Sequence, residues 1–277
     1  MSNATYKKRT VLITGASSGI GRAAAENMLN AGYRVFVVAR RIEKMRELEH
    51  RGAVAIAMDI TKEEEIAAVI DRIISECGSI DILINNAGYG SYGAIEDVPL
   101  EEGRRQFEVN LFGLARLTQL VLPKMRENGF GKIVNITSIG GKISTPFGGW
   151  YHATKHALEG WSDSLRLETK PFGIDVIIVE PGGIKTEWGH IAADQLKKNS
   201  GAGAYATEAR KTADNMAKIY SGQRLSPPSV VATTILKAIG AAKPKARYHS
   251  GYMAGTVLLM RRLLSDRMFD RIIASMV

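Results

Sequence analysis

The amino-acid sequence predicts a doubly wound α/β domain, a parallel sheet of about seven strands with helices on both faces. Three observations predict it. Short apolar runs bounded by turn residues recur along the chain. Each is an almost unbroken Val/Ile/Leu run instead of an alternating one, so both strand faces need cover. Segments with helical spacing separate the runs.

The first strand is Thr10 to Thr14, which runs into a glycine-rich turn and a helix over 19–31. Arg34 to Ala39 is the second strand, with a helix over 42–51. Ala53 to Met58 is the third, followed by a helix over 62–77. Ile80 to Asn85 precedes a helix over 100–127, and Lys132 to Thr137 precedes one over 150–170. Ile174 to Glu180 is the sixth strand. The strand-helix alternation implies right-handed crossovers. After Glu180 the rhythm breaks. Residues 182–226, with Gly182-Gly183, Trp188 and an Ala/Lys-rich middle, read as one or two helices in a mobile, lid-like insert. A helix from Pro228 to Ala241 and a short strand near Ala246 to His249 follow. The tail over 252–277 sets Leu258, Leu259, Leu263, Leu264, Phe269, Ile272 and Ile273 among basic residues at helical spacing. Docking on the body is the preferred reading of this tail; covering a substrate cleft, pairing with another subunit and touching a membrane surface are the alternatives.

The 277 residues suit a single domain over 1–277 with a substantial core. No apolar run approaches the ~18 residues needed to cross a bilayer. The start, MSNATYKKRT, has no signal-type apolar run, so a soluble cytoplasmic protein is expected. One cysteine, Cys77, excludes an internal disulfide and a thiol metal cluster, and reads as a helix-end packing residue. The formal charge of +9 comes from scattered basic pairs with no long block, which argues against nucleic acid and leaves an anionic membrane surface or an anionic cofactor.

The turn Gly15-Ala16-Ser17-Ser18-Gly19-Ile20-Gly21 has the GxxxGxG spacing. Between a strand and a helix start it lets the backbone approach a pyrophosphate, where unpaired N–H groups and the helix dipole favour anions. With Thr14 in front, it resembles the cofactor motif of the short-chain dehydrogenase/reductase family, a Rossmann-type fold. The resemblance runs from about residue 10 to 188 in order and spacing: Asn85-Asn86-Ala87-Gly88, Asn110, Ser138, Tyr151-His152-Ala153-Thr154-Lys155, and Pro181-Gly182 with Thr186. The stretch from Tyr89 to Trp188 looks most like the hydroxysteroid and retinol dehydrogenase branch.

At the end of the second strand a carboxylate favours NAD, whereas a cation accommodates an extra phosphate. Here Ala39 stands where NAD-preferring relatives are usually acidic, and Arg40-Arg41 follow. Guanidinium groups suit phosphate. NADP(H) is therefore expected, with NAD(H) as the alternative; Arg40 is the main contact and Ser17 or Arg41 assists. Asp59 with Ile60 resembles the family's adenine-side position, and Asp59 also reads as an N-cap for the helix near Lys62.

Tyr151 and Lys155 are four apart and share one helix face. A nearby ammonium is expected to lower the phenol pKa. The resemblance implies that Tyr151 exchanges a proton with the substrate oxygen, that Lys155 also holds the nicotinamide ribose, and that Ser138 hydrogen-bonds the same oxygen. It implies too that the backbone of Asn110 holds a water linking Lys155 to solvent. Asn86, Ala87 and Gly88 then line the nicotinamide-ribose side, with Pro181, Gly182, Ile184 and Thr186 near the carboxamide.

The expected activity is hydride transfer interconverting a ketone or aldehyde and an alcohol. The substrate is expected to be bulky and hydrophobic, with reduction as the favoured direction, and its pocket built from 140–150 and 182–226. Tyr89, Ile143, Phe147, Trp150 and Trp188 are the candidate walls. The alternatives are a catalytically silent NADP(H)-sensing binding protein and a membrane-surface role of the tail. The resemblance also implies a homodimer or homotetramer built through the helices at 100–127 and 150–170. No resident metal is expected.

Overall fold

Six short runs rich in β-branched and other apolar residues form strands because helices cover both of their faces, and the polar RYHS adds a seventh at the edge. They are β1 (Thr10–Thr14), β2 (Arg34–Ala39), β3 (Val54–Ala57), β4 (Ile82–Asn85), β5 (Gly131–Ile136), β6 (Ile174–Pro181) and β7 (Arg247–Ser250). A computed structural model describes residues 8–276, with side chains to 274. The N-terminal stretch MSNATYK, on which the leader reading falls, lies outside the described residues. All pairings are parallel, in the order β3-β2-β1-β4-β5-β6-β7, so the strand order reverses between β1 and β4. In open α/β sheets a crevice opens at the carboxyl ends beside such a reversal.

The two cores follow from side-chain alternation along each strand. Val11, Ile13, Ile82 and Ile84 face one layer, made by α1 (Gly19–Asn30), a 3-10 turn over Ile42–Met45, α2 (Arg46–His50) and α9 (Pro228–Gly240). Leu12, Leu83 and Ile133 face the other, with α3 (Glu63–Cys77), α5 (Gly113–Glu127) and α6 (Gly149–Thr169). Cys77 is buried at the end of α3, and Gly78 closes that helix at φ +80°. Lys132, buried inside β5, donates to the carbonyls of Ile239 and Ala241 at 2.7 and 2.6 Å, which places a cation at the C-terminus of α9.

Three predicted elements differ in detail. The helix expected over 42–51 is a 3-10 turn followed by α2. The helix expected over 100–127 is broken into α4 (Leu100–Phe107), a π turn over Glu108–Phe112 and α5. The wider turn carries Asn110 inward, where its side chain binds the chain at Tyr89. The tail is two helices, α10 (Ala254–Leu263) and α11 (Asp266–Met276). Phe269 and Ile273 bury against Ile143 and Val257, so the tail docks on the body, while Leu259 and Leu263 remain exposed. The 182–226 insert holds two helices packed together, α7 (Trp188–Ser200) and α8 (Ala206–Ser221). No helix among the described residues is long and apolar enough to cross a membrane.

Candidate functional site

A cleft of about 1020 Å³ opens at the carboxyl edge of the sheet beside the β1/β4 reversal and runs from Arg40 and Asp59 past Tyr151 to α7 and α8. Its floor is the glycine turn. Gly15, at φ +68°, donates to the Val38 carbonyl at 2.8 Å, tying the end of β1 to β2, and Gly19 turns the chain into α1 at φ +55°. Ser17, Ser18, Gly19 and Ile20 line the cleft. Gly21 does not; a Cβ there would overlap the Asn86 amide and the Gly15 carbonyl, so its smallness lets the turn pack.

The end of β4 is fastened to the same turn. Thr14 Oγ1 accepts the Asn86 and Ala87 N–H groups at 3.0 and 2.9 Å, and Asn86 Nδ2 donates to Thr14 O at 2.9 Å. This brings Asn86, Ala87 and Gly88 into the wall, opposite Pro181, Gly182, Ile184 and Thr186 from the end of β6 and the residues after it.

Arg40 and Arg41 both line the far end of the cleft, in different states. Arg41 approaches Ser17 Oγ at 3.4 Å and pairs with Glu187 at 3.5 Å. Arg40 is exposed, and among the described residues it has no ion pair. Asp59 and Ile60 line the cleft beside it. Asp59 does not cap α3 with its side chain, contrary to expectation. Its Oδ1 accepts Thr61 N–H and Oγ1 at 3.0 and 2.9 Å, because Lys62 intervenes before the helix begins. Burial raises the Asp59 carboxyl, but the Thr61 bonds and the charges of Arg40 and Lys62 outweigh it and hold the group below its ordinary value.

At the other end Ser138, Tyr151 and Lys155 converge. Ser138 lies two residues past β5; its Oγ accepts the Gly140 N–H at 2.9 Å, and its hydroxyl also bonds the Tyr151 phenol. Tyr151 lies on the first turn of α6, with its ring buried. Lys155 Nζ, one helical turn on, donates to Ile136 O at 2.9 Å and stands 6.0 Å from the Tyr151 ring centre. The expectation that the ammonium would lower the phenol pKa is corrected here. Burial dominates and pushes Tyr151 up to about 12, with only the Ser138 hydroxyl opposing it. Burial also lowers Lys155 to about 8 against the pull of Glu159. At neutral pH the arrangement therefore presents a protonated phenol beside an ammonium.

Asn110 lies behind the cleft, not in its wall. Its Nδ2 donates to Tyr89 O at 2.9 Å and to Thr154 Oγ1 at 3.0 Å, and its Oδ1 accepts Tyr89 N–H at 3.1 Å. A Cβ on Gly88 would meet Asn110 Oδ1 at 3.1 Å and Lys155 Nζ at 3.7 Å, so the two groups face each other across that glycine.

Of the five expected pocket walls, Tyr89, Ile143 and Trp188 line the cleft and Phe147 and Trp150 do not. Phe147 packs edge-on to Tyr205, and Trp150 packs on Phe107 of α4, because the turn before α6 directs both rings away. Trp188 stands over the site, 5.1 Å from Tyr151, 5.8 Å from Tyr92 and 6.1 Å from Tyr220 between ring centres. Tyr92, Met216 and Tyr220 are walls that sequence reasoning missed. The only signal for the α8 pair was their helical spacing in the insert.

The residues fit a dinucleotide. Ser18 precedes α1 without making a side-chain cap, no acid occupies that helix's first turn, and the N–H groups there open onto the cleft. The unpaired guanidinium of Arg40 marks the end where a further phosphate would be met. Among the described residues no cluster of metal-ligating side chains occurs.

A family model described as short chain dehydrogenase matches residues 9–197. A probable short-chain type dehydrogenase/reductase, VdlC of Helicobacter pylori, is 36% identical over 261 residues, 94% of this chain and 94% of that protein. The NADPH-dependent 3-dehydrocapnine reductase of Ornithobacterium rhinotracheale is 34% identical over 278 residues, 95% of each. The crystal structure of a short-chain dehydrogenase from Streptomyces avermitilis superposes with a TM-score of 0.79 at 34% identity, covering 97% of this chain and 95% of that one.

Proposed function

The chain belongs to the short-chain dehydrogenase/reductase family of NAD(P)-dependent oxidoreductases, and from that premise we propose that it is an NADP(H)-dependent reductase of a bulky, hydrophobic ketone or aldehyde. The carrying observation is the meeting of Ser138, Tyr151 and Lys155 under the aromatic wall of Trp188, Tyr92 and Tyr220. Apolar rings around a few polar groups favour a large apolar substrate over a small acid.

When bound, the nicotinamide supplies the hydride. The protein's own groups do the rest. Ser138 hydrogen-bonds the substrate oxygen through its hydroxyl and stabilises charge as it develops there. Tyr151, protonated at neutral pH, gives that oxygen its proton. Lys155 is fixed by Ile136 O and keeps two N–H donors for the ribose hydroxyls and the phenol side. The Asn110 backbone, in the π turn, is the proposed holder of a water that returns a proton through Lys155. The preference for NADP(H) rests on Arg40, which lacks an ion pair while Arg41 is engaged by Glu187. The relative from Ornithobacterium rhinotracheale is likewise NADPH-dependent by name.

A homodimer or homotetramer is also proposed, with exposed Phe112 in the π turn before α5 and exposed Leu167 on α6 as contact residues. The test of function is oxidation of NADPH and of NADH at 340 nm across ketones of increasing apolar size. Turnover that favours NADPH and rises with substrate size supports the reading. Tight NADPH binding with no turnover on any carbonyl would favour a cofactor-sensing binding protein instead.

A further inference from the structure

His152 follows the proposed proton donor in sequence, and its ring is buried under the loop that carries Ser138. Nε2 accepts the Thr145 backbone N–H at 3.1 Å, with Thr145 Oγ1 at 3.0 Å from the same nitrogen. A peptide N–H can only donate, so Nε2 is the unprotonated nitrogen. Nδ1 then carries the ring proton and donates it to Gly140 O at 2.9 Å. The other end of that residue, the Gly140 N–H, is bound to Ser138 Oγ at 2.9 Å. A Cβ on Gly140 would come 3.0 Å from His152 Nδ1 and 3.1 Å from Tyr151 Cε1, so this residue is wedged between the two rings.

We propose that His152 is a positioning residue: it fixes the Ser138 hydroxyl through Gly140 and the substrate-side loop through Thr145. The proposal rests on the reductase reading above. The chain from Ser138 to Gly149 contains four glycines and one short 3-10 turn over Ile139–Gly141, whose Gly141 N–H returns to Ser138 O at 2.9 Å, so few side chains of the loop itself brace the Ser138 hydroxyl. A neutral imidazole has a donor and an acceptor on opposite sides of one rigid plane, which is what two backbone groups of opposite polarity require. The titratable groups facing the ring are Tyr151 and His156 on α6, and Tyr92, which bonds to Thr145. His156 Nδ1 lies 2.8 Å from the His152 carbonyl oxygen. Burial holds the ring below the ordinary histidine range, against the Gly140 bond, so it stays neutral at pH 7.

A double-mutant cycle with NADPH and β-tetralone tests the coupling. His152→Ala should lower kcat about 10- to 100-fold while leaving the NADPH Kd unchanged. In a Ser138→Ala background the same change should cost less than about twofold, because the group it positions is gone. His152→Asn places Nδ2 where Nδ1 stood, so it should recover most of kcat and leave KM raised, the Thr145 bond being lost. Equal losses in the two backgrounds, or an Asn variant no better than Ala, would overturn the proposal. Crystal structures of wild type and His152→Ala supply a readout independent of turnover. Displacement of Ser138 and Gly140 is expected, and unmoved positions would also overturn it. Failure of the wild type to reduce β-tetralone or any other ketone would defeat the reductase reading alone, and the crystallographic comparison would then decide the role of His152.

Discussion

Glu180 is the last residue before the Pro181-Gly182 turn, buried at the end of β6. Burial comes first among the causes that push its carboxyl up to about 7, followed by the nearby charge of Glu159; Lys142 and Arg247 oppose them. Arg247 approaches it at 3.8 Å but is drawn more closely to Asp163, at 2.6 Å, and Glu159, at 3.0 Å. Replacing Glu180 with Gln keeps the shape of the protonated acid and removes the cost of ionising it. A carboxyl whose folded pKa exceeds its unfolded one binds its proton more tightly in the fold. Its contribution is therefore complete below pH 4.5 and is lost as pH rises through about 7. The gap corresponds to about 3 kcal/mol as a ceiling, and relaxation of Arg247 and Lys142 brings the measurable part to about 1–3 kcal/mol. At about 2–4 °C per kcal/mol, Glu180→Gln should raise Tm by about 2–12 °C at pH 8. At pH 4.5 it should change Tm little. Thermal melts at fixed protein concentration from pH 4.5 to 8.5 read this directly. A Tm difference that does not grow with pH, or a variant less stable than wild type at pH 8, would refute the burial argument.

Three further outcomes follow from the cleft. Arg40→Asp should reverse the cofactor preference by removing the unpaired cation, with kcat/KM for NADPH falling about 100-fold or more relative to NADH; an unchanged ratio would remove Arg40 from the phosphate site. Gly21→Ala should abolish dinucleotide binding, since the new Cβ overlaps the Asn86 amide and the Gly15 carbonyl; fluorescence titration that returns a normal Kd would contradict it. Lys155, lowered to about 8 by burial, should impose a fall in kcat/KM for reduction as pH rises past about 8, because the ammonium is lost there. A rate profile flat to pH 10 would contradict that assignment.

Much of this architecture is legible in the chain because its signals are local. TVLIT and RVFVVA are unbroken apolar runs, and β1 and β2 occupy just those residues. The Thr14 to Gly21 turn declares itself by its glycines. What stayed hidden depends on contacts distant in sequence. The helical periodicity from Leu100 to Glu127 runs on without a break, so nothing local reveals that Asn110 will open a π turn to reach Tyr89 and Thr154. The spacing of Tyr151 and Lys155 places the ammonium but not the depth of burial, and burial decides the phenol pKa. Phe147 and Trp150 have the composition of pocket walls, yet their direction is set by Tyr205 and Phe107. The role proposed for His152 needs Gly140 and Thr145 folded over it.

The account stands most directly on the phenol of Tyr151 as the proton donor. Tyr151→Phe removes one oxygen from a buried ring and leaves Lys155 bound to Ile136, so the NADPH Kd should stay within about twofold while turnover falls about 1000-fold or more. Turnover within a few fold of wild type, at unchanged NADPH affinity, would contradict it.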